Sequence, residues 1–309
     1  MKAKNLIRNI NPFNNQKEMP KGLYVVKKLL AFLSVQIIGS VIGEILVIAL
    51  LIVLGYDPLN GDVPAGNSGL FLKCYGFAVF FISTLVYCKL VEKRNPKSLG
   101  FNKKAYDYVV GGIVAVLLLG SVVAVCCATG VMKFNSFTTK ADGLYLAVLF
   151  GGFIIQSLAE EVMARGFLLS SLSEKTSLPL AVFVSSTAFA IPHLATVLES
   201  ETPFAVVGVI NLYLVSAVFS LLFVLRSNIY IVSGLHCVWN FVLYGVLGLS
   251  VSGSESNENA LLNFNVNSQN ILSGGAYGLE ASVITTAVLA ITAIVLVILC
   301  KKRGIKNGL

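Results

Sequence analysis

Charged residues are scarce in this chain: Asp, Glu, Lys and Arg make up 12% of 309 residues, and the mean hydropathy is +0.83. Soluble globular proteins carry about 25% charged residues, so the composition excludes a water-soluble enzyme. Histidine occurs only twice, and none of the six cysteines shows a spacing typical of a zinc knuckle or a disulfide framework. Because all six cysteines lie in or beside apolar runs, we predict that they are small core residues.

Long apolar runs, in contrast, are abundant. Several exceed the ~18 residues that mark a membrane-spanning helix, which excludes a β-barrel and predicts an all-α polytopic membrane protein with a bundle of about eight transmembrane helices. The segment 249–280 is rich in Ser, Asn and Gly and is predicted to be a flexible outer loop. The predicted spans are 29–55, 70–91, 108–131, 144–171, 178–198, 203–225, 228–248 and 281–300.

The basic residues predict the orientation of the bundle. With eight spans, 19 of the 23 Lys and Arg residues fall on one side, whereas the opposite loops hold only Lys133 and Lys140. The positive-inside rule therefore places both termini in the cytoplasm. The predicted organisation is a basic cytoplasmic N-tail (1–28), three N-terminal transmembrane helices (29–143), a four-helix core with polar motifs (144–248), the outer loop (249–280), and a last helix with a basic C-tail (281–309).

Three ionisable residues, Glu160, Glu161 and Arg165, interrupt the fourth span. A charged side chain at the centre of a membrane helix costs about 2.5–3.5 kcal/mol, so each needs a partner or contact with water. Glu161 and Arg165 stand four residues apart and are predicted to form an ion pair. Glu160 lies about 100° around the helix and is predicted to face a substrate or water. Glu44, deep in the first span, is expected to be paired or protonated, and its role stays open.

Both histidines fall in predicted spans. His193 follows Phe189 by one turn in the fifth span, and His236 precedes Asn240 by one turn in the seventh. Together with Glu160, these groups could activate a water: a carboxylate removes a proton, and imidazole and carboxamide donors stabilise an oxyanion. Alternatively, Glu160, His193 and His236 could bind a divalent metal such as zinc. The residue types alone leave both alternatives open.

The polar residues form three motifs: EEVMAR from Glu160, FAIPH ending at His193, and HCVWN from His236. These resemble the EExxxR, FxxxH and HxxxN motifs of the CPBP family, the CAAX-protease and bacteriocin-processing group also called the Abi family. The resemblance covers about residues 144–248 and implies an intramembrane endopeptidase in which these four helices are the catalytic core. It implies that Glu160 activates water with the help of His193. It further implies that His236 and Asn240 form an oxyanion site or help to hold the water or metal.

The resemblance also implies supporting roles for Glu161 and Arg165, and for Phe189 as the first residue of the FxxxH motif. The implied substrate is a hydrophobic or lipid-anchored peptide or protein, and nucleic acid is not expected as a partner. Bacterial members of the family are associated with bacteriocin maturation, immunity and peptide signalling. The compact chain and its short loops favour a bacterial plasma membrane protein.

Other classes of intramembrane protease lack their motifs in this sequence. There is no HExxH, which excludes a site-2 type metalloprotease; the four aspartates lie in loops or at span ends; and Ser233, near His236, has no glycine-flanked nucleophile motif. Two functions without proteolysis remain open. One is a membrane immunity protein that sequesters a bacteriocin or regulates a partner. The other is a transporter in which buried acids and histidines relay protons, although the chain lacks internal repeats.

Overall fold

The computed structural model describes residues 11–13, 18–60, 62, 68–138, 140–267 and 269–305, excluding the side chains of 68–73. Half of the predicted N-tail (1–10 and 14–17) and the end of the C-tail (306–309) lie outside the described residues. The described part contains eight long helices: α1 Lys21–Val53, α2 Ser68–Leu90, α3 Asp107–Ala128, α4 Gly143–Ser173, α5 Leu178–Leu198, α6 Thr202–Arg226, α7 Ile229–Val246 and α8 Val283–Lys302. A two-stranded sheet joins β1 Met132–Phe137 to β2 Leu262–Val266.

Seven of these helices are long and apolar enough to cross a membrane, and α2 is apolar over Cys74–Leu90. The prediction of an all-α polytopic membrane protein is therefore confirmed. The helix ends lie within a few residues of the predicted spans, except that α1 begins at Lys21 instead of at residue 29. The reason is that Lys28 is buried in an ion pair with Glu92, in the connection from α2 to α3. Basic residues assigned to a solvated tail thus belong to the helix.

Three of the helices are irregular beside the polar motifs. Within α4, a π-helical segment, Val162–Leu169, follows Glu161 directly. At the end of α7, a π-helical turn, Val242–Val246, begins two residues after Asn240. In α5, a 3-10 turn spans Ile191–His193, where the proline at position 192 has no N–H to continue the helix. π-helical insertions occur frequently at functional sites, so these irregularities direct attention to the same part of the bundle.

Glycines bring two pairs of helices into backbone contact. A Cβ atom at Gly43 in α1 would lie 2.4 Å from the carbonyl oxygen of Gly76 in α2, and one at Gly234 in α7 would lie 2.0 Å from that of Tyr108 in α3. Small residues permit this close packing in membranes, where van der Waals contact drives helix association. The second contact fixes α7, which carries His236 and Asn240, against α3.

One end of the bundle carries a folded cap, which we define as β1 together with residues 247–281. The segment predicted to be a flexible outer loop, 249–280, contains β2 and the 3-10 turns Gly275–Tyr277 and Leu279–Ala281. β2 pairs antiparallel with β1, with an irregularity between Phe134 and Ser136. The partner strand is far away in sequence, and a short strand without a long apolar run gives little local signal.

Candidate active site

A buried network surrounds Glu161 in α4. Arg165 donates a hydrogen bond from Nη1 to Glu161 Oε1 at 3.0 Å, and both side chains are fully buried. The ion pair predicted from the four-residue spacing is thus present. Nη2 of Arg165 also donates to the Ser216 hydroxyl in α6 at 2.6 Å. The guanidinium group is therefore held by an acid on its own helix and a hydroxyl on another.

His236 extends this network from α7. Its Nδ1 lies 2.9 Å from Glu161 Oε1. Because an ionised carboxylate can only accept hydrogen bonds, Nδ1 carries a proton here. The opposite ring atom, Nε2, lies 3.8 Å from Glu160 Oε2, which is too far for a direct hydrogen bond. The ring also stacks on Phe219 of α6, with 5.3 Å between the ring centroids. One histidine is thus placed between two adjacent glutamates.

Glu160 has less complete hydrogen bonding than its neighbour. Its Oε1 accepts a hydrogen bond from Gln156 Nε2 at 3.3 Å, whereas its buried Oε2 has no hydrogen-bond partner among the described residues. Glu160 and His193 line one small cavity of about 10 Å³, close to the volume that a single water needs. Leaving a buried polar atom without a partner is unfavourable, so this oxygen is suited to bind water or a polar group of a ligand.

His193 lies in the 3-10 turn of α5. Its Nδ1 is 2.9 Å from the carbonyl oxygen of Phe189, and since a carbonyl only accepts, Nδ1 donates and Nε2 is unprotonated in the neutral ring. The Phe189 ring lies 4.9 Å from the His193 ring, and the Arg165 guanidinium lies 4.5 Å from the centroid of the same phenyl ring. Phe189 therefore connects the Arg165 network to His193 by direct packing.

The structure thus brings together six of the seven predicted site residues: Glu160, Glu161, Arg165, Phe189, His193 and His236. Asn240 lies one turn beyond His236 and is buried, but its side chain makes no hydrogen bond to another described residue. Glu44 is exposed on α1 and forms no ion pair within the described part of the chain, so of the two expectations, a paired or a protonated acid, the first is not met. The catalytic roles of these residues stay predictions.

The metal alternative has no preformed ligand set. Within the described ranges, no three His, Cys, Asp or Glu side chains are placed so that they could hold a metal ion. A zinc site needs three or four ligands at about 2.0–2.3 Å, and Glu160, His193 and His236 do not form such a group.

Sequence reasoning missed Glu280, which lies in the cap immediately before α8. Its carboxylate accepts hydrogen bonds from the indole N–H of Trp239 at 3.3 Å and from the backbone N–H of Ser252 at 2.5 Å. Burial raises the pKa of the Glu280 carboxyl, while the hydrogen bonds from Ser252 and Trp239 oppose that rise. Glu280 thus joins the cap to α7 beside Asn240. A single acid in a polar loop gives no sequence signal of such a role.

Three further neighbours of the site were also missed. Ser216 holds Arg165, Phe219 stacks on His236, and Gln156 donates to Glu160. Of these, only Gln156 had a usable signal, because it lies one helical turn before Glu160 and therefore on the same face.

Comparison with known proteins identifies the middle of the chain. Residues 142–242 match the family model described as type II CAAX prenyl endopeptidase, Rce1-like. This segment is similar to Rce1-like domains. It covers about a third of the chain, contains all three motifs, and extends from the start of α4 to the beginning of the π-helical turn in α7. The resemblance to the CAAX protease family is thereby confirmed.

This match supports an endopeptidase of the CAAX-protease type at the level of the family. The chain is an integral, multi-pass membrane protein with a domain of the CAAX-protease type of endopeptidase. The cap strands and helices α1–α3 and α8 lie outside the matched segment. No curated protein and no solved structure matches the chain.

Proposed function

We propose that this protein hydrolyses a peptide bond in a hydrophobic or lipid-anchored peptide within the membrane, using water activated by Glu160. The observation that carries the proposal is that Glu160 lines a cavity of about 10 Å³ together with His193, and that its buried Oε2 has no hydrogen-bond partner among the described residues. A carboxylate with one free oxygen, beside a space for one water, has the arrangement that a general base needs.

In the proposed reaction, Glu160 takes a proton from the water while the water oxygen bonds to the carbonyl carbon of the substrate. His193 Nε2, left unprotonated by the hydrogen bond of Nδ1 to Phe189, orients the water by accepting its second hydrogen. Glu160 then gives its proton to the leaving amine as the C–N bond breaks. The carboxylate is regenerated, and no external co-reactant is needed.

The oxyanion of the tetrahedral intermediate requires donors on the opposite side. His236 supplies Nε2–H when the ring is protonated, and Glu161, itself held by Arg165, accepts the hydrogen bond from the other ring nitrogen. With His236 protonated, two carboxylates face one guanidinium and one imidazolium, so Glu160, Glu161, Arg165 and His236 are together neutral. The carboxamide of Asn240, one turn further along α7, is proposed as the second donor.

In this proposal the protein acts in a bacterial plasma membrane, in bacteriocin maturation, immunity or peptide signalling. A noncatalytic immunity protein is the second candidate. Its supporting observation is the size of the cavity at Glu160, which holds a water but not a peptide, so that helices must separate before a substrate can enter.

Comparative peptidomics tests the proposal. Membranes containing the parent protein, Glu160→Gln or the control Glu44→Gln, a glutamate of α1 outside the site, are compared for released peptides. We expect the same peptides from the parent and Glu44→Gln, and their loss in Glu160→Gln. Identical peptides from Glu160→Gln would overturn the mechanism. Full bacteriocin protection by Glu160→Gln would support the noncatalytic candidate instead.

A further inference from the structure

The cap contains a cavity that the proposed reaction does not use. Its volume is about 620 Å³, within the range of about 300–1,000 Å³ that is typical of ligand sites. It is lined by β2, by the chain on both sides of β2, and by Lys140 after β1, and it includes no residue of the three motifs. This cavity is therefore separate from the space at Glu160 and His193.

The lining residues show that the cavity runs along the edge of β2. Leu262, Asn263 and Phe264 are consecutive, and all three line it, as does Val266. Successive side chains of a strand point to opposite faces of the sheet. A cavity that touches consecutive residues is thus beside the backbone of the strand and not over one face.

Hydrogen bonds identify which backbone groups face this cavity. The carbonyl of Leu261 accepts from Thr138 N at 3.1 Å, and the N–H of Asn267 donates to Val131 O at 2.9 Å. Backbone groups alternate in direction along an antiparallel strand, so the odd-numbered residues of β2 bond to β1. The N–H and C=O groups of Phe264 and Val266 point away from β1. Outside the pairing of β1 with β2, no backbone hydrogen bond among the described residues involves these groups.

The wall of the cavity is close in sequence to a residue that contacts α7 beside Asn240. Gly278 and Leu279 form part of its wall, and the next residue is Glu280, which is hydrogen-bonded to Trp239 beside Asn240. Two acids, Glu255 and Glu258, line the cavity together with Lys140, and Lys140 pairs with Glu258 at 3.1 Å. The lining therefore carries a net negative charge, which favours a segment that is neutral or basic.

We propose that the free edge of β2 binds an extended segment of the peptide substrate, which adds to the sheet as a third strand. An unpaired strand edge is a template for such pairing, and β-strand addition is a common mode of peptide recognition. The proposal rests on the proposed peptidase function, because it names the part of that enzyme that holds the substrate outside the membrane core. The acidic lining would select a neutral or basic segment.

Peptide binding to the full-length protein in nanodiscs tests this proposal without requiring cleavage. The probe is a fluorescein-labelled octapeptide, KTVTVTVK, which is extended, basic and rich in β-forming residues, and binding is followed by fluorescence anisotropy. Val266→Pro removes the outward backbone N–H of β2, and Val266→Thr is the matched control that keeps it. We expect equal affinity for the parent and Val266→Thr, and an affinity about tenfold weaker for Val266→Pro.

A second measurement keeps the test independent of how Val266→Pro folds. Adding the peptide to the parent protein is expected to slow amide hydrogen exchange at Phe264 and Val266. Absence of binding to the parent, equal binding to the parent and Val266→Pro, or unchanged exchange at these amides would each overturn the proposal.

The result is distinguishable from failure of the peptidase function. Glu160→Gln is expected to bind the probe as tightly as the parent, although we expect it to lose cleavage. If the parent proves unable to cleave any peptide but binding still depends on Val266 as expected, the β2 site stands and the proposed reaction fails. If cleavage depends on Glu160 but the probe binds regardless of Val266, the β2 site fails alone.

Discussion

Glu160 and Glu161 are adjacent in sequence but lie in different surroundings. Glu161 is fully buried and contacts Arg165 at 3.0 Å and His236 at 2.9 Å. Glu160 lines a cavity and accepts one hydrogen bond, from Gln156, while its buried Oε2 has no hydrogen-bond partner in the part of the chain that the structure describes. A rotation of about 100° along α4 thus separates a carboxylate committed to the scaffold from one that is free to react.

This difference predicts that replacing Glu161 mainly lowers stability, whereas replacing Glu160 mainly lowers the rate of the reaction. Removing a charge from the Glu161 network leaves another buried charge without its partner, so the damage should appear in stability. Replacing Glu160 by an isosteric amide leaves the fold intact and removes the base, so the damage should appear in the rate. Comparing activity and stability in the same variants therefore tests whether the division is correct.

The largest effect is expected for Glu160→Gln. Loss of general-base catalysis lowers rates by about 10²–10⁴-fold, and we expect kcat for a peptide found by peptidomics to fall by about 10³-fold. The stability of the variant should stay close to that of the parent, because the amide oxygen can still accept from Gln156. Single-turnover cleavage and unfolding in detergent give the two values. Equal cleavage by the variant would remove Glu160 from the reaction.

Arg165→Met is expected to act mainly on stability. It leaves Glu161 buried without its cation, and breaking a buried ion pair costs about 3–5 kcal/mol. The double variant Glu161→Gln with Arg165→Met removes both charges and should recover part of this loss in denaturant unfolding. If Arg165→Met is as stable as the parent, the Glu161 network does not support the fold.

The polar motifs show which contacts can be predicted from the sequence alone and which cannot. The four-residue spacing of Glu161 and Arg165 predicted their contact, since neighbours on one helix face are fixed by helical geometry. The long apolar runs likewise predicted the eight helices. The contact of His236 with Glu161 was not predicted, because the two residues lie on different helices and no spacing in the sequence relates them. The environment of Glu280 and the pairing of β1 with β2 depend on contacts between distant segments that have no local pattern.

Ser216→Ala tests the smaller contribution of a neutral partner to the same network. The serine hydroxyl accepts from Arg165 at 2.6 Å, and a hydrogen bond to a charged group contributes about 1.5–3 kcal/mol. We expect a loss of stability in that range in detergent unfolding, with kcat for the peptide changed less than tenfold. A loss of kcat comparable to that of Glu160→Gln would show that Arg165 acts in the reaction and not only in the scaffold.

Metal removal tests whether Glu160 acts as a free acid or as a metal ligand. Because no three ligating side chains come together among the described residues, we expect a zinc chelator to leave cleavage unchanged, within about twofold. Loss of cleavage on chelation, restored by added zinc, would show that Glu160 serves as a metal ligand and would weaken its assignment as the free acid of the pair.

The smallest effect is expected for Glu280, a third acid whose surroundings are intermediate between those of Glu160 and Glu161. Burial raises the pKa of its carboxyl in the folded protein, so the folded state binds a proton more tightly than the unfolded state does. By linkage, the cap should gain stability as the pH falls between the raised and the ordinary carboxyl pKa, and lose it as the pH rises through that interval.

Glu280→Gln cannot titrate and should flatten this part of the curve of stability against pH, whereas the control Glu258→Gln, at an exposed position, should keep it. Unfolding of the cap, followed by hydrogen exchange at Ser252 after correction for the intrinsic pH dependence, measures the slope. The same slope in the parent and Glu280→Gln would mean that another group titrates there, and Glu280 would then resemble Glu161 as a fixed charge of the scaffold.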